Sequence, residues 1–595
     1  MKDSKAAIQS GDSSYESALE ALFSPGVHQA TTKEDIARSA RRRTRTVSDM
    51  RYYWKKILQV HPVYQETQPL QKKPLLIHVT GTKGKGSTAC MCEAILRGHG
   101  YSTGLFTSPH LIDIRERIRW NGKPIHPTIF ANVYWKIRRA LESDPEGEND
   151  SNDEDPPPKL PGYFRMLTLM GMYTFLRELA GGIDAIILEV GMGGRYDATN
   201  FLDVSSEHFR RVANGVTLLD LDHTRILGDT LEEIAWEKGG IFAVNKLNPD
   251  GISERPHGNK PEILETAEPA GTESKKRKLS KGSLLSPRNI LLDSNTQGVI
   301  DMMKSCCLVE GKGGELCLVD ATGSKIKELL RNKGLTLGLA GSHQFGNATL
   351  AAALCRSAVG KNEGTNSIEI DSPTTLGALA SAKWPGRCQT FEWSNKNKDT
   401  ILSFCLDGAH TPQSLEATVD WLRSKRSCSA SDNASMTDLP ILVFNCSHER
   451  NPVELLELFL KHDQLQFFRV YFAKSDSSRP SPVAKASAES LLEERGIPVR
   501  GDLLLGDKEN RTWQETLAIV WKHLTAKESP AESSTSGIDS IHCNMTASQV
   551  VREIQEVSAG INNSNPTQVF VTGSLYLVGS FLTALEWSEE SSSPL

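Results

Sequence analysis

The stretch Ile77–Gly100, IHVTGTKGKGSTACMCEAILRGHG, packs three glycines and two lysines between Gly81 and Gly86, with an apolar run before them and a helical pattern after. Pro74 to Val79 reads as a buried strand. From Ser87 onward Cys92, Ile95 and Leu96 recur at helical spacing until Gly98 and Gly100 end the run. Gly81 to Gly86 is therefore a strand-to-helix loop. Glycines there let backbone N–H groups close on an anion, the helix N-terminus adds positive potential, and a lysine supplies mobile charge. This is chemistry for cradling phosphate. The strict P-loop pattern nevertheless fails at two positions. It asks for Ser or Thr directly after Gly84-Lys85, where Gly86 stands, and for a glycine where Val79 stands. Thr82, Ser87 and Thr88 still keep hydroxyls within reach of a phosphate-bound magnesium ion. The plainer alternative is a Gly/Lys-rich surface turn, so the surroundings of the loop have to decide.

Two further apolar runs end in polar chemistry. Asp184 to Val190 (DAIILEV) carries Glu189 at its end and is followed by Gly191-Met192-Gly193-Gly194. Gly215 to Leu221 ends at Asp222-His223. Parallel strands bring their C-terminal tips to one edge, where open α/β sheets bind ligands, so these runs predict Lys85, Glu189 and His223 in one crevice. A strand-end carboxylate suits magnesium, which takes oxygen ligands and stays partly hydrated. Taken alone, His223 reads as a satisfied structural histidine; its expected place at a strand tip favours the site.

The alternation of short apolar runs with helical patterns occurs twice along the chain, which predicts α/β architecture with two largely parallel sheets. In the second half the runs are Ile401–Leu406, Pro440–Asn445, Phe467–Phe472 and Gln568–Thr572. A Trp-Pro-Gly break in KWPGRCQT, Lys383–Thr390, marks the boundary between them. The predicted organisation is an extension over 1–50, partly disordered, then a P-loop NTPase-like domain over 51–385, then a smaller Rossmann-like domain over 386–595. Segments 143–161, 245–287, 427–438 and about 527–539 read as polar insertions without apolar periodicity. The basic run Lys275–Lys278 is a solvated linker cluster or a nuclear address.

The 595 residues suffice for several cores, and 68 Lys plus Arg against 73 Asp plus Glu give no electrostatic case for nucleic acid or an anionic membrane. Small-molecule partners fit better. Eleven cysteines without a C-x-x-C pair, two of them adjacent at Cys306-Cys307, suit reduced thiols in an intracellular protein. No apolar run is long enough to span a bilayer and the N-terminus lacks a signal-peptide core, so a cytoplasmic monomer is the expectation. Arg41, Arg42, Arg43 and Arg45 keep a mitochondrial address open.

With these residues in view, the chain resembles the folylpolyglutamate synthase family, within the wider group of Mur-type amide ligases. HVTGTKGKGSTA, GLFTSPHLIDIRERIRWNGKPI, LEVGMGGRYDATN, LDHTRILGDTLEEIAWEKGGIF, GSHQFGNATLAAAL, WPGRCQT, LDGAHTPQS and VTGSLYLVG are similar to its successive signatures, in order. The resemblance implies a ligase with ATP and magnesium, and a monovalent cation such as potassium as a further candidate. Its substrates would be folate or folylpolyglutamate and L-glutamate. It implies that Gly81, Thr82, Gly84, Lys85, Gly86, Ser87 and Thr88 hold the triphosphate with Asn347, Arg387 and Asp407. Ser108, Glu189 and His223 would be metal ligands, Lys85, Lys238 and His410 would serve the chemistry, and Ser574 would help hold glutamate. Lys238 matches a lysine carbamylated in many members; an ordinary salt-bridged lysine is the alternative. Arg387, at the expected domain boundary, would meet phosphate charge on closure. One departure stands out: extra charged residues precede the Asp222-His223 block. Dihydrofolate synthase activity, alone or in addition, and a nucleotide-dependent switch of a different class remain the competing readings.

Overall fold

The computed structural model describes residues 14–24, 28, 41–61, 73–143, 156–179, 182–202, 209–242, 282–285, 296–306, 316–320, 322–360, 367–394, 401–427, 439–461, 465–475, 486–506, 508, 510–526, 541–559 and 566–589. They fall into two compact units. The first comprises Met1–His110, Ile114–Gly338 and Gln344–Ala382; the second comprises Leu111–Asp113, Leu339–His343 and Lys383–Leu595.

The first unit is built on eight strands: β1 (Leu75–Thr80), β2 (Thr103–Phe106), β3 (Ile118–Trp120), β4 (Lys123–Pro124), β5 (Ala185–Glu189), β6 (Arg211–Val216), β7 (Gly282–Leu285) and β8 (Leu316–Val319). Their order is β4-β3-β2-β5-β1-β6-β7-β8. β1 lies at the centre, parallel to β5 and β6, and all six of its residues are buried. A strand covered on both faces reads as a continuous apolar run, which is how LLIHVT reads. The register sets Val79 beside Glu189 and Thr80 beside Val216, so the strand tips converge.

Part of the N-terminal segment set apart as an extension is built into this core. Helix α1 (Tyr15–Phe23) buries Ala18, Ala21 and Leu22, and helix α2 (Thr46–Val60) buries Met50, Tyr53 and Ile57, in one cluster with Phe106, Phe130 and Met166. A disordered state for residues 1–13 and 29–40 falls outside the described residues, as do the basic run 275–278 and most of the four predicted insertions.

Two expectations are corrected. The strand expected over Gly215–Leu221 is β6, which runs over Arg211–Val216. Beyond Val216 the backbone leaves the sheet and bonds the glycine loop instead: the amides of Thr82 and Lys83 donate to the Leu218 carbonyl at 2.8 and 3.3 Å. His223 therefore follows a loop over 217–222 rather than a strand tip. Second, the end of the segment read as the insertion 245–287 forms β7, which pairs in parallel with β6 and β8.

In the second unit β9 (Gln389–Ser394), β10 (Ile401–Leu406), β11 (Ile441–Phe444), β12 (Arg469–Lys474), β13 (Ile541–Thr546) and β14 (Thr567–Thr572) make a sheet ordered β13-β12-β11-β14-β10-β9. It is parallel except for β9, an antiparallel edge strand. Among the described residues no helix is long and apolar enough to cross a membrane. The nine described cysteines are free thiols.

Candidate active site

The loop after β1 leads into helix α3 (Lys85–Gly98), whose Ala89, Met91, Cys92, Ile95 and Leu96 are fully buried. Each large apolar side chain so buried stabilises by roughly 1.5–3 kcal/mol, which fixes the helix and hence its N-terminus. The N-cap is Gly84 at φ +85°, with no side chain to occupy the first-turn amides, so those donors are left for an anion. Glycine is required here twice over. Its φ is left-handed, and a Cβ would lie 2.5 Å from Asn347 Oδ1.

Asn347 sits on helix α5 (Gln344–Val359) and donates from Nδ2 to Gln344 Oε1 at 2.9 Å; Gln344 donates in turn to Ser87 Oγ at 3.3 Å. Lys85 Nζ donates to the carbonyls of Gly81 and Thr82 at 3.1 and 3.3 Å. Lys238, on helix α4 (Leu231–Gly239), reaches the same Gly81 carbonyl at 2.9 Å from a buried position. Burial pulls its amine well below the ordinary lysine range, and the charge of nearby Lys85 adds to this, while Asp222 acts in the opposite sense. Thr82 exchanges hydrogen bonds of 3.1 Å with the Asp220 carbonyl and amide, and Lys83 forms a 3.0 Å ion pair with Asp222. Gly86 and Thr88 lie in the first turn of α3.

The Glu189 carboxylate is buried and accepts the Ser108 amide at 3.0 Å, which brings those two predicted ligands together. His223 is exposed at φ +52°, at the head of the short helix Thr224–Leu227, with its amide donating to Asp222 Oδ1. Among the described residues no group of three His, Cys, Asp or Glu side chains makes a ready metal cage. A magnesium ion carried by nucleotide phosphates needs no such cage: one or two protein oxygens plus phosphate and water suffice, and Glu189 with Ser108 fits that donor set.

In the second unit the Asp407 carboxylate accepts from the Cys388 amide at 2.8 Å, and from the Ala409 amide and Thr418 Oγ1 at 2.9 Å each, the last from helix α6 (Pro412–Ser427). It therefore organises the DGAH loop. His410 bonds the Gly408 carbonyl through Nδ1 at 3.0 Å. Arg387 donates to the Gly386 carbonyl, and a Cβ at Gly408 would lie 3.0 Å from its guanidinium.

The unit also has a switch point. After β11 the chain enters helix α7 (Pro452–Leu460), which packs with Leu442, Phe444 and Phe570. After the neighbouring β14 it enters helix α8 (Leu575–Ala584), which packs with Ile441, Val443 and Val571 on the other face. Neighbouring strands whose chains leave in opposite directions open a crevice at their C-terminal ends. Ser574 is the N-cap of α8 and makes no capping bond. At the same tips Asn445 Oδ1 and Thr572 Oγ1 are buried without a partner among the described residues.

Sequence reading missed Gln344, Lys83, Asp222, Asn445 and Thr572. Signals were there to be found in the i, i+3 spacing of Gln344 and Asn347 on one helix, and in Asn445 and Thr572 as polar ends of apolar runs.

Fold and loop together define a two-unit α/β protein with a phosphate-cradling strand-to-helix turn. No protein-family model matches the chain. It is 30% identical over 525 residues to a probable folylpolyglutamate synthase of Schizosaccharomyces pombe, covering 86% of this chain and 83% of the relative. It is 34% identical over 409 residues to the mitochondrial folylpolyglutamate synthase of Bos taurus, and over 408 to that of Homo sapiens. Those two matches span 57% and 56% of the relatives' own lengths. The fold is similar to that of E. coli FolC in complex with DHPP and ADP, with TM-score 0.54, 19% identity, and 96% of this chain and 98% of that one covered. It is also similar to the Mycobacterium tuberculosis folylpolyglutamate synthase complexed with ADP and AMPPCP, at TM-score 0.55 and 18% identity over 91% and 96%. The chain belongs to the folylpolyglutamate synthase family.

Proposed function

We propose that the chain is an ATP-dependent ligase that joins the amine of L-glutamate to the γ-carboxylate of a folate, reduced folate or folylpolyglutamate. The observation that carries this reading is the loop Gly81–Lys85, with uncapped helix amides, two lysines on the Gly81 carbonyl and the Glu189 carboxylate on the neighbouring strand. The family membership and the nucleotides named for its solved relatives support it.

A carboxylate does not condense with an amine at neutral pH because oxide is too poor a leaving group. A substrate carboxylate oxygen attacks the γ-phosphorus of ATP, ADP departs, and the resulting acyl phosphate carries a good leaving group. The glutamate amine then attacks the acyl carbon, phosphate leaves and the amine loses a proton. Catalysis of the first step is positioning and charge stabilisation. The α3 amides and Gly84, Lys85, Gly86, Ser87 and Thr88 serve it, with Gly81 and Thr82 shaping the turn and Asn347 on its flank. Glu189 and Ser108, with His223, would hold magnesium, which when bound offsets phosphoryl charge. A potassium ion is a further candidate.

Burial favours the uncharged amine of Lys238, the form that adds carbon dioxide to give a carbamate with release of a proton, so carbamylation of this residue is part of the proposal. In the second unit Asp407 holds the loop that presents His410, and Arg387 supplies a positive charge suited to phosphate. The crevice with Ser574, Asn445 and Thr572 has unpaired polar atoms suited to the amine and carboxylates of glutamate.

Incubation of the pure protein with tetrahydrofolate, ATP, magnesium and glutamate tests the reading: products heavier by glutamyl increments, with one ADP each, support it. ATP turnover that ignores both folate and glutamate would favour a switch instead. Dihydropteroate in place of tetrahydrofolate separates the dihydrofolate synthase reading. Glu189→Gln keeps an acceptor for the Ser108 amide and removes the charge, so the magnesium concentration for half-maximal activity rises by at least about tenfold. An unchanged magnesium titration removes Glu189 from the ligand set.

A further inference from the structure

We propose that Arg43, in the basic run ahead of α2, is a positioning residue of the nucleotide site, acting through the carboxylate of Glu237; this rests on the nucleotide-binding reading above. In the sequence Arg41–Arg45 looks like part of an address. In the structure Arg43 NH2 lies 2.7 Å from Glu237 Oε2, and the Glu237 side chain is 1% exposed against 24% for Arg43. The contact is an ion pair by distance, bent away from hydrogen-bond geometry.

Glu237 is the residue before Lys238, whose amine bonds the Gly81 carbonyl. The Arg43 guanidinium also lies 5.2 Å from the centre of the Tyr196 ring. A Cβ on Gly193, at φ +69°, would sit 3.7 Å from Glu237 Oε2 and 3.8 Å from Arg43 NH2, so the loop after β5 passes beside the pair. That loop is tied to the phosphate turn, because Thr80 Oγ1 donates to the Gly193 carbonyl one residue before Gly81. It is tied to α4 as well: the Arg195 amide donates to the Glu237 carbonyl at 2.7 Å, and a Cβ on Gly194 would lie 2.7 Å from the Lys238 carbonyl.

Two arms thus run from the Arg43–Glu237 pair to the Thr80–Gly81 corner, one through Lys238 and one through Gly193. Removal of the arginine leaves the buried Glu237 carboxylate uncompensated one residue before Lys238, and relaxation of α4 around that charge shifts the contact of Lys238 on the Gly81 carbonyl. The loss would appear in nucleotide affinity. Arg43 touches neither substrate nor reacting atoms, so its part is positional.

The test uses the full chain and calorimetric ADP binding, which does not depend on ligase turnover, with melting temperature alongside. Arg43→Met is expected to weaken ADP binding by tenfold or more, Arg43→Lys to recover part of that, and Arg43→Met combined with Glu237→Gln to bring affinity back to within about threefold of the parent. Unchanged ADP affinity in Arg43→Met, even with a lowered melting temperature, overturns the proposal, and so does a double variant no better than Arg43→Met. A parent protein that binds no ADP overturns the nucleotide reading and this proposal together. A parent that binds ADP and an Arg43→Met variant that matches it overturn this proposal alone.

Discussion

Lys85→Ala gives a folded protein whose ligase turnover falls by on the order of a thousandfold or more. The side chain lies over the loop, among the described residues bonds the Gly81 and Thr82 carbonyls, and is not part of the buried apolar core. Its loss costs stability of the size of an ordinary surface substitution, within about 0.5 kcal/mol. Charge brought to a phosphoryl group in a preorganised site is another matter, since removal of a single such donor costs about 10²–10³ in kcat and a cation on transferred phosphate can be worth 10³–10⁵. A near-parental melting temperature with turnover lost is the expected pair of results. Turnover reduced only in proportion to lost stability would take Lys85 out of the chemistry.

Gly81→Ala produces the opposite signature, a large structural loss. Gly81 sits at φ +142°, and an alanine Cβ would overlap Thr217 Oγ1 and approach the Thr217 amide nitrogen to 2.9 Å. Thr217 cannot give way freely, because its amide and hydroxyl both bond the Thr80 carbonyl, at 2.8 and 3.2 Å. Backbone strain of this kind costs about 1–3 kcal/mol and overpacking a similar amount. The Gly81 carbonyl also receives Lys85 and Lys238, so displacement disturbs both side chains. A melting temperature several degrees lower, together with ADP affinity reduced at least tenfold, is the expected result from differential scanning fluorimetry and calorimetry. A variant as stable as the parent would show that the turn is not held as described.

The glycine loop was legible in the sequence because a buried strand, a glycine-rich turn and apolar residues at helical spacing are each local patterns, and they follow one another within Ile77–Gly100. Glu189 was legible for the same reason, as the polar end of an apolar strand. Gly215–Leu221 misled because its apolar residues have different fates: Gly215 and Val216 pair in the sheet, Leu219 is buried beyond it against Val190 and Trp236, and Leu221 is left exposed. The Lys83–Asp222 pair and the Gln344–Ser87 contact join residues 139 and 257 positions apart, and no local period encodes such distances. Asp407 was recognised, but its three hydrogen bonds, which make it an organiser of the loop that carries His410, depend on the tertiary course of β9, β10 and α6. Arg43 was concealed by its company: a run of arginines reads as solvated charge, and only the fold reveals that one of them meets a buried glutamate.

ATP held at the Gly81–Lys85 loop is proposed to give its γ-phosphoryl group to a substrate carboxylate before any amide forms. The most direct measurement supplies tetrahydrofolate labelled with oxygen-18 in its γ-carboxylate, with ATP, magnesium and glutamate, and weighs the inorganic phosphate released. An acyl phosphate that is cleaved by the amine at carbon delivers one labelled oxygen to phosphate for each glutamate added. Phosphate without label, while labelled folate is converted to its glutamyl product, would contradict the claim.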